Sequence, residues 1–394
     1  MRDSSPSHRR VDSELGELEE LVAEVRAAGV RRVHVLAWRD LDDPDAGGSE
    51  VHADHFMRRW AAAGLDVLHR TSAGVGIPAE ASRNGYRVIR RGSRYSVFPR
   101  TIAAEVARSM GPRDALVEIW NGVPWFSPVW CRQPNLTIVH HVHGPMWDQL
   151  LPMPLAGAGR ALETRFAPPF YRRTQVVTPS RSTRDALLSL GFRADRVTAV
   201  NNGVDEFFRP ACRRADQPTV VAAARLAPVK RFMALVDAAA EARDRVPDLQ
   251  LRIVGEGPER AALEQWIERH GATWVTLAGH VPREQLRDEY SRAWLVASAS
   301  VAEGWGLALT EAAACGTPAV ATDISGHRSS VVDGVTGLLV PLEQLGDRIA
   351  DVLLDPTLRE RLAAAAEARA RTLTWDASAL GITRVLHRVV IARN

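Results

Sequence analysis

The stretch that decides the fold is "LQLRIVGEGPERAALEQWIERHGATWVTLAGHV", residues 249–281. It begins with the apolar run "LQLRIV", turns at "GEG", continues with apolar residues at helical spacing, and ends in a second apolar run, "VTLAGHV". A strand, a helix and a strand within about 30 residues form a βαβ unit, whose two strands lie parallel in one sheet. The stretch therefore predicts an α/β fold.

The same alternation runs through both halves of the chain and is interrupted once. The polar, proline-bearing stretch "DEFFRPACRRADQP", residues 205–218, separates the halves. We therefore expect two doubly wound, Rossmann-like domains that face each other across a ligand-binding cleft. The predicted bounds are 1–205, with a tail and leading helix over 1–30, then 206–375, and a C-terminal helix over 376–394.

Composition excludes several classes of protein. The chain has 394 residues, which fits two domains, and its formal net charge of +3 gives no reason to expect nucleic acid as a partner. Cys131, Cys212 and Cys315 form no C-x-x-C pair, so neither a disulfide framework nor a zinc cage is predicted. With no apolar run of about 18 residues and no signal-peptide core, a cytoplasmic location is expected.

Lys230 is the single lysine in the chain, because every other residue among the 50 lysines and arginines is arginine. Arg225 and Lys230 lie between a predicted strand and the next helix, where doubly wound sheets bind ligands. A lysine kept there indicates a need for a compact point charge, although one lysine could also have escaped a coding bias. Gly255 and Gly257 permit a tight turn, which alone is weak evidence.

A second cluster of interest is "SVAEGWGLALTEAAACG", in which seven residues separate Glu303 from Glu311. Gly304 and Gly306 precede a predicted helix whose free N–H groups can face an anion. The two carboxylates would be roughly 10 Å apart at the helical rise per residue, enough to flank a diphosphate. Taken singly, Glu303 could instead be a solvated loop residue and Glu311 an ordinary helix glutamate.

At these residues the chain resembles the retaining glycosyltransferases of family 4, which have the GT-B fold. "RLAPVKR" is similar to the family's R-x4-K diphosphate motif, and "EGWGLALTEAAACGTPAVAT" to its E-x7-E segment. In the first half, "AGGSEVHADHFMRRWAAAGLDVLHRTS", "IWNGVPWFSPVW" and "TIVHHVHGPMW" also resemble family segments. The resemblance covers about residues 32–375.

The resemblance implies a role for each matching residue. Arg225 and Lys230 would neutralise the phosphates of a nucleotide-diphosphate sugar and stabilise the leaving diphosphate. Glu303 would hold hydroxyls of the transferred sugar, Glu311 the ribose hydroxyls, and His140 would face the reacting centre. The other implied donor-site positions are Gly255, Gly257, Val281, Gly304, Gly306 and Leu307, and those of the acceptor or phosphate loop are Gly47, Gly48 and His143.

Two acidic or histidine-rich segments raise the question of a metal, and we predict none. Because side chains alternate along a strand, His141 and His143 share one face and His140 lies on the other, which makes a poor set of ligands. The loop "RDLDDPDAGG" is interpreted as a solvated acidic loop ahead of Gly47 rather than a cation site. Its acidic residues are Asp40, Asp42, Asp43 and Asp45.

The resemblance implies transfer of a sugar, without a cofactor, from a nucleotide-diphosphate sugar to a lipid-linked, glycan or natural-product acceptor. The first domain would bind the acceptor and the second the donor, with the C-terminal helix packed back across the hinge. A nucleotide-sugar 2-epimerase and a non-enzymatic binding protein are the alternatives. Five arginines in the first half suggest contact with a lipid phosphate or the inner membrane face, although solvated faces explain them equally: Arg90, Arg91, Arg94, Arg172 and Arg173.

Overall fold

The computed structural model describes residues 6–393 and divides the chain into two compact units. The first unit comprises the residues up to Gly203 together with those from Trp375 onward, and the second is Val204–Thr374. Each unit has one sheet of largely or wholly parallel strands with helices packed against it. This confirms the predicted α/β fold with two doubly wound domains.

The first unit contains an eight-stranded sheet. Its strands are β1 (Arg32–Leu36), β2 (Asp66–Thr71), β3 (Glu80–Arg83), β4 (Tyr86–Arg90), β5 (Ala115–Trp120), β6 (Asn135–Val139), β7 (Gln175–Thr178) and β8 (Val197–Ala199). They lie in the order β3-β4-β2-β1-β5-β6-β7-β8, and every neighbouring pair except β3 and β4 is parallel. The central strand β5 is buried along its whole length, as expected for a parallel strand covered on both faces.

Among the described residues, eight α-helices of the first unit precede the second unit in the chain. They are α1 (Pro6–Ala27), α2 (Gly48–Ala62), α3 (Val97–Val106), α4 (Ser127–Trp130), α5 (Trp147–Leu150), α6 (Leu155–Ala161), α7 (Pro168–Tyr171) and α8 (Arg181–Ser189). In α1, Leu18, Val22 and Val25 recur at helical spacing and are buried in the core. Because α1 already begins at Pro6, much of the segment interpreted as a polar tail is helical.

The hairpin β3–β4 was not anticipated from the sequence. Its two-residue turn is Asn84-Gly85, and both residues have positive φ, +47° and +86°. Two left-handed residues give the turn the twist that the flanking strands require, and Asn-Gly is the pair that adopts it most readily. The signal was therefore present in the sequence as "RNGY".

The second unit contains a six-stranded, fully parallel sheet. Its strands are β9 (Thr219–Ala223), β10 (Gln250–Val254), β11 (Val275–Gly279), β12 (Leu295–Ser298), β13 (Ala319–Thr322) and β14 (Gly337–Val340). Its helices are α9 (Phe232–Arg245), α10 (Arg260–His270), α11 (Arg283–Arg292), α12 (Leu307–Ala314), α13 (Ser325–Ser330), α14 (Leu345–Leu354) and α15 (Pro356–Ala370). The strand order is β11-β10-β9-β12-β13-β14, so the βαβ unit predicted over 249–281 is confirmed as β10-α10-β11.

The last helix, α16 (Trp375–Ile391), belongs to the first unit and packs on α1 and α2. The Trp60 indole N–H on α2 donates to Thr383 Oγ1 at 2.8 Å. A Cβ on Gly381 would lie 2.6 Å from Val200, so the helix needs glycine there to approach the end of β8. Over residues 6–393, no helix has both the length and the apolar character of a membrane span.

Candidate functional site

The order of strands in the second unit reverses between β9 and β12, which are neighbours in the sheet although two strands separate them in the chain. Ligands of doubly wound sheets bind at the carboxyl ends of the strands beside such a reversal. Arg225 and Lys230 follow the carboxyl end of β9, and Glu303 follows that of β12. The topology thus brings Lys230 into contact with Glu303, which lies 73 positions later in the chain.

Lys230 and Glu303 form an ion pair at this reversal, and the Lys230 ammonium donates to Glu303 Oε1. The Ser300 hydroxyl donates to the same oxygen at 3.1 Å. Burial opposes ionisation of Glu303, but the Lys230 charge and these hydrogen bonds outweigh it and hold the pKa of the carboxyl below its ordinary value. Glu303 is therefore an ionised hydrogen-bond acceptor at neutral pH.

The two loops that carry this pair are joined through their backbones. The Val301 N–H donates to the Val229 carbonyl at 2.9 Å. Lys230 ends a single 3₁₀ turn, after which Arg231, the residue that precedes α9, adopts a left-handed conformation with φ +51°. Both charged groups are thus held on short loops between rigid elements.

Gly255 and Gly257 pack against the backbone of the loop that carries Arg225. A Cβ on Gly255 would lie 1.9 Å from the Ala224 carbonyl oxygen, and one on Gly257 would lie 2.5 Å from the Leu226 carbonyl oxygen. Both glycines also have positive φ, +141° and +156°. This close contact between the two loops supports the position of the exposed Arg225. The sequence predicted a tight turn at these glycines but not their contact with the Arg225 loop.

The loop before α12 packs closely against α13. Gly306 has φ +96° and immediately precedes Leu307, where α12 begins. Trp305 is buried between the two glycines of "EGWG", while Gly304 is partly exposed. A Cβ on Gly326 would lie 2.3 Å from the Glu303 carbonyl oxygen, so α13 also contacts this loop through bare backbone.

His327 lies behind Glu303 and was missed by the sequence analysis. Its ring is fully buried, with Nδ1 2.7 Å from the Thr322 carbonyl oxygen and Nε2 3.2 Å from Ser298 Oγ. Burial lowers the pKa of His327, while the nearby Glu303 carboxylate raises it in part. A single histidine in "GHRSS" gave no spacing from which to predict this place.

Glu311 lies on α12 and contacts Tyr290, whose hydroxyl donates to Glu311 Oε2 at 3.3 Å. Burial raises the pKa of Glu311 to about 7, and the Tyr290 bond and the Arg283 charge counter it only in part. Val281 is buried in the same apolar cluster as Tyr290. The structure thus places Val281 in the apolar core that also contains Tyr290.

In the first unit, Gly47 and Gly48 stand at the start of α2. The Gly47 N–H donates to Glu50 Oε2 at 2.7 Å, so the buried Glu50 caps the helix. Gly47 is extended, with φ −145°, and a Cβ there would meet no atom nearer than 3.8 Å. Because the fold itself would accept a side chain at residue 47, glycine there is consistent with a close approach by a ligand.

His140 follows the carboxyl end of β6 and pairs with His52 on α2, a partner that the sequence analysis missed. His140 Nε2 lies 3.0 Å from His52 Nδ1, and both rings are buried. Burial lowers the pKa of His140 to about 4, and burial together with His140 lowers the pKa of His52 well below its ordinary value. Both rings are therefore neutral at pH 7, and their hydrogen bond couples the two tautomers.

His143 is held by Glu163, another residue that the sequence analysis missed. The carboxylate of Glu163 accepts from the N–H groups of His143 and Gly144, each at 2.9 Å, and from the Trp147 indole at 3.0 Å. It also lies 3.1 Å from His143 Nδ1, and these contacts hold the pKa of Glu163 below its ordinary value against its burial. The loop after β6 is therefore anchored by one buried carboxylate.

The acidic loop ahead of Gly47 is not simply solvated, which corrects its interpretation from sequence. Asp40 is 5% exposed and accepts from Arg90 Nε at 2.6 Å. Arg90 is 1% exposed and also bonds Asp42 at 2.5 Å, so Arg90 cannot contact a membrane or an acceptor. Among the described residues, no three histidine, cysteine or acidic side chains converge as metal ligands.

Two protein families match this chain. Glycosyl transferases group 1 matches residues 204–369, and Glycosyltransferase Family 4 matches residues 46–206. The group 1 match lies on the second unit, and the Family 4 match lies almost wholly on the first unit. Together they cover the region in which the sequence motifs were found.

Curated relatives agree with these matches. A D-inositol 3-phosphate glycosyltransferase from Kribbella flavida is 36% identical over 212 residues, which are 48% of this chain and 50% of that protein. A GDP-mannose-dependent alpha-(1-6)-phosphatidylinositol monomannoside mannosyltransferase from Mycolicibacterium smegmatis is 30% identical over 306 residues, 70% of this chain and 77% of that protein. The chain thus spans about half the length of the first relative and three quarters of the second.

Solved structures support the same fold. Sucrose-phosphate synthase from Thermosynechococcus elongatus has a TM-score of 0.77 at 23% identity, covering 92% of this chain and all of that one. An Anabaena protein solved in complex with UDP and glucose has a TM-score of 0.69 at 20% identity, covering 89% of this chain and 97% of that one. This likeness concerns the fold and confirms the predicted GT-B class.

Proposed function

This chain belongs to the glycosyltransferases of family 4, and from that premise we propose that it moves a sugar from a nucleotide-diphosphate sugar to an acceptor hydroxyl with retention of anomeric configuration. The proposed donor lies at the carboxyl ends of β9 and β12. The acceptor is a lipid-linked, glycan or natural-product molecule. The named relatives are transferases, and nothing in them favours a nucleotide-sugar 2-epimerase.

The observation that carries the proposal is the Lys230–Glu303 ion pair at the strand reversal. The Lys230 ammonium is a partner for a diphosphate, and the ionised Glu303 carboxylate beside it is a partner for a sugar hydroxyl. On donor binding, phosphate oxygens would replace Glu303 at the Lys230 ammonium, and sugar hydroxyls would donate to Glu303. Neither charge would then be left buried without a partner.

The proposed reaction needs electrostatic stabilisation of a departing diphosphate. The bond between the anomeric carbon and the diphosphate oxygen breaks, and a bond to the acceptor oxygen forms on the same face. The acceptor proton passes to the departing phosphate oxygen. Arg225, Lys230 and the N-terminal N–H groups of α12 would stabilise the charge that develops on that leaving group.

The remaining parts of the proposal concern binding. Glu311 would accept hydrogen bonds from the ribose, while His140 would face the reacting centre as a neutral imidazole held by His52. Gly47 and His143 would border the acceptor. The reaction would proceed in the cytoplasm without a cofactor or a metal, and turnover that a chelator abolishes and magnesium or manganese restores would contradict the metal-free part.

The test combines donor binding with turnover. Thermal shifts of the full chain against a panel of nucleotide-diphosphate sugars identify the donor, and release of nucleoside diphosphate measures turnover. Lys230→Ala and Glu303→Gln should each lower kcat/KM by at least about 100-fold, the effect of removing one group that stabilises transition-state charge. Near-normal rates in both variants would overturn the assignment.

Matched controls exist in the same unit. Arg213 and Asp216 form an exposed ion pair ahead of β9, with Arg213 Nη2 3.1 Å from Asp216 Oδ1. Arg213→Ala and Asp216→Asn remove a cation and a carboxylate on the amino side of this strand, so turnover should change less than about twofold. Equal losses in both pairs of variants would show that the effect of Lys230 or Glu303 is one of general stability.

A further inference from the structure

A chain of hydrogen-bond contacts runs from the buried His327 to the Lys230–Glu303 pair. His327 Nε2 lies 3.2 Å from Ser298 Oγ, which lies 3.1 Å from Ser300 Oγ. The Ser300 hydroxyl donates to Glu303 Oε1 at 3.1 Å. Ser298 ends β12 and Ser300 follows two positions later, so the two side chains share one face of the strand end. The carboxylate at the strand reversal is thus linked to a fully buried histidine.

The direction of each hydrogen bond in this chain follows from the two ends of the chain. A backbone carbonyl only accepts, so the 2.7 Å contact of His327 Nδ1 with the Thr322 carbonyl requires a proton on Nδ1. At the other end the ionised Glu303 also only accepts, so Ser300 donates its single proton there. Ser300 then accepts from Ser298, and Ser298 in turn accepts from His327 Nε2. All of these contacts are made only when both ring nitrogens of His327 carry a proton.

A count of protons shows what the chain lacks when His327 is neutral. The four contacts need four protons, whereas two serine hydroxyls and one neutral imidazole supply three. One contact is then left as two lone pairs that face each other, in a buried network where an unmade hydrogen bond is costly. A proton that His327 takes up from solvent would complete all four contacts.

The charged groups that face His327 come from three neighbouring elements. Burial lowers the pKa of His327, and the Glu303 carboxylate, on the loop after β12, opposes this most strongly. Lys230, on the loop after β9, lowers the same pKa, and Asp323, which follows β13, raises it. Asp323 is itself paired with Arg328, whose Nε lies 2.6 Å from Asp323 Oδ1. A further negative charge beside Lys230 would therefore raise the pKa of His327 and favour the charged ring.

We propose that His327 is a positioning residue of the Lys230–Glu303 site, which takes up a proton and so orders the two serine hydroxyls toward Glu303. Proton uptake would fix the Glu303 carboxylate and add a positive charge close to Lys230. A diphosphate bound at Lys230 would favour the charged ring, so donor affinity should fall as the pH rises through the pKa of His327. The effect on the donor rests on the proposed function, whereas the coupling of His327 to the ion pair does not.

The single lysine makes this coupling measurable in the ligand-free chain. Incorporation of ¹³Cε-lysine labels Lys230 alone, and its NMR signal reports changes of charge and hydrogen bonding at the ammonium. Between about pH 5 and 8 the signal should titrate with a midpoint below 6.5, the ordinary value for histidine. His327→Gln should abolish this titration. Ser298→Ala keeps the histidine but breaks the chain, so it should reduce the amplitude by at least about twofold.

His270→Gln is the matched control, because it removes an exposed histidine at the end of α10 in the same unit. This variant should leave the Lys230 titration unchanged. Ser298 is only half-buried, so Ser298→Ala decides the question even where the buried His327→Gln fails to fold. A signal that does not titrate, a titration that survives in His327→Gln, or one that keeps its full amplitude in Ser298→Ala would each overturn the proposal.

Donor binding gives a second readout. The probe is the nucleotide-diphosphate sugar that gives the largest thermal shift in the panel, and its Kd is measured across the same pH range. A unit charge about 10 Å from an anion changes its affinity by roughly twofold to fifteenfold at effective dielectric constants of about 80 to 20. The Kd should therefore rise about fivefold with pH in the parent chain and in His270→Gln, and stay constant in His327→Gln. A constant Kd in the parent would refute the effect on the donor. Absence of binding by every panel member would instead contradict the proposed function, and the Lys230 titration would still test the coupling.

Discussion

Replacing Gly255 by alanine tests whether backbone contact between two loops builds the proposed donor site. The new Cβ would lie 1.9 Å from the Ala224 carbonyl oxygen, at a residue whose φ is +141°. A non-glycine residue in a left-handed conformation costs roughly 1–2 kcal/mol, and forcing one more carbon into a packed region costs roughly 1–3 kcal/mol or more. We therefore expect the second unit to lose about 4 kcal/mol of unfolding free energy, a large part of a typical domain's total.

Gly271→Ala is the matched control for this prediction. Gly271 also has positive φ, +57°, but a Cβ there would meet no atom within 4 Å, so only the conformational cost of about 1–2 kcal/mol applies. Hydrogen exchange of peptides from β9 and β10, measured on the full chain in graded urea, gives the unfolding free energy of this unit. If Gly255→Ala destabilises these strands no more than Gly271→Ala does, the backbone contact does not have the proposed role.

Two further predictions concern buried charges in the first unit. Burial raises the pKa of Glu118 to about 7, so between pH 4.5 and 7 the folded state keeps a proton that the unfolded state releases, and the free energy of unfolding falls as the pH rises through this range. Glu118→Gln removes this dependence. Urea unfolding should therefore show that the stability of the variant relative to the parent increases by about 3 kcal/mol from pH 4 to pH 8. An unchanged difference between the two pH values would contradict this. Arg90→Ala leaves Asp40 buried without its cation and should cost about 3–5 kcal/mol, whereas Arg91→Ala, at an exposed neighbour, should cost less than about 1 kcal/mol; equal losses by calorimetry would refute the distinction.

Much of the fold and of the proposed donor site could be predicted from local sequence. The strand and helix of the stretch over 249–281 follow from hydrophobic periodicity, which is a property of a dozen neighbouring residues. Lys230 attracted attention through composition, and Glu303 and Glu311 through spacing next to glycines. The roles of these residues as donor ligands stay predictions.

Local sequence could not predict contacts between residues that are far apart in the chain. His52 and His140 are 88 positions apart, and Arg90 and Asp40 are 50 apart, yet each pair is in hydrogen-bond contact. Such pairs depend on the order of strands in the sheet and on the helix packed over it, which periodicity does not specify.

The sequence by itself determined the alternation of strands and helices in both halves and which charged residues follow a strand in the second half. Only the tertiary structure decided which buried charge has which partner and why Gly255 must lack a side chain. The physical reason is that periodicity records the side of an element that is buried, whereas the identity of the covering group is set by the packing of the whole unit.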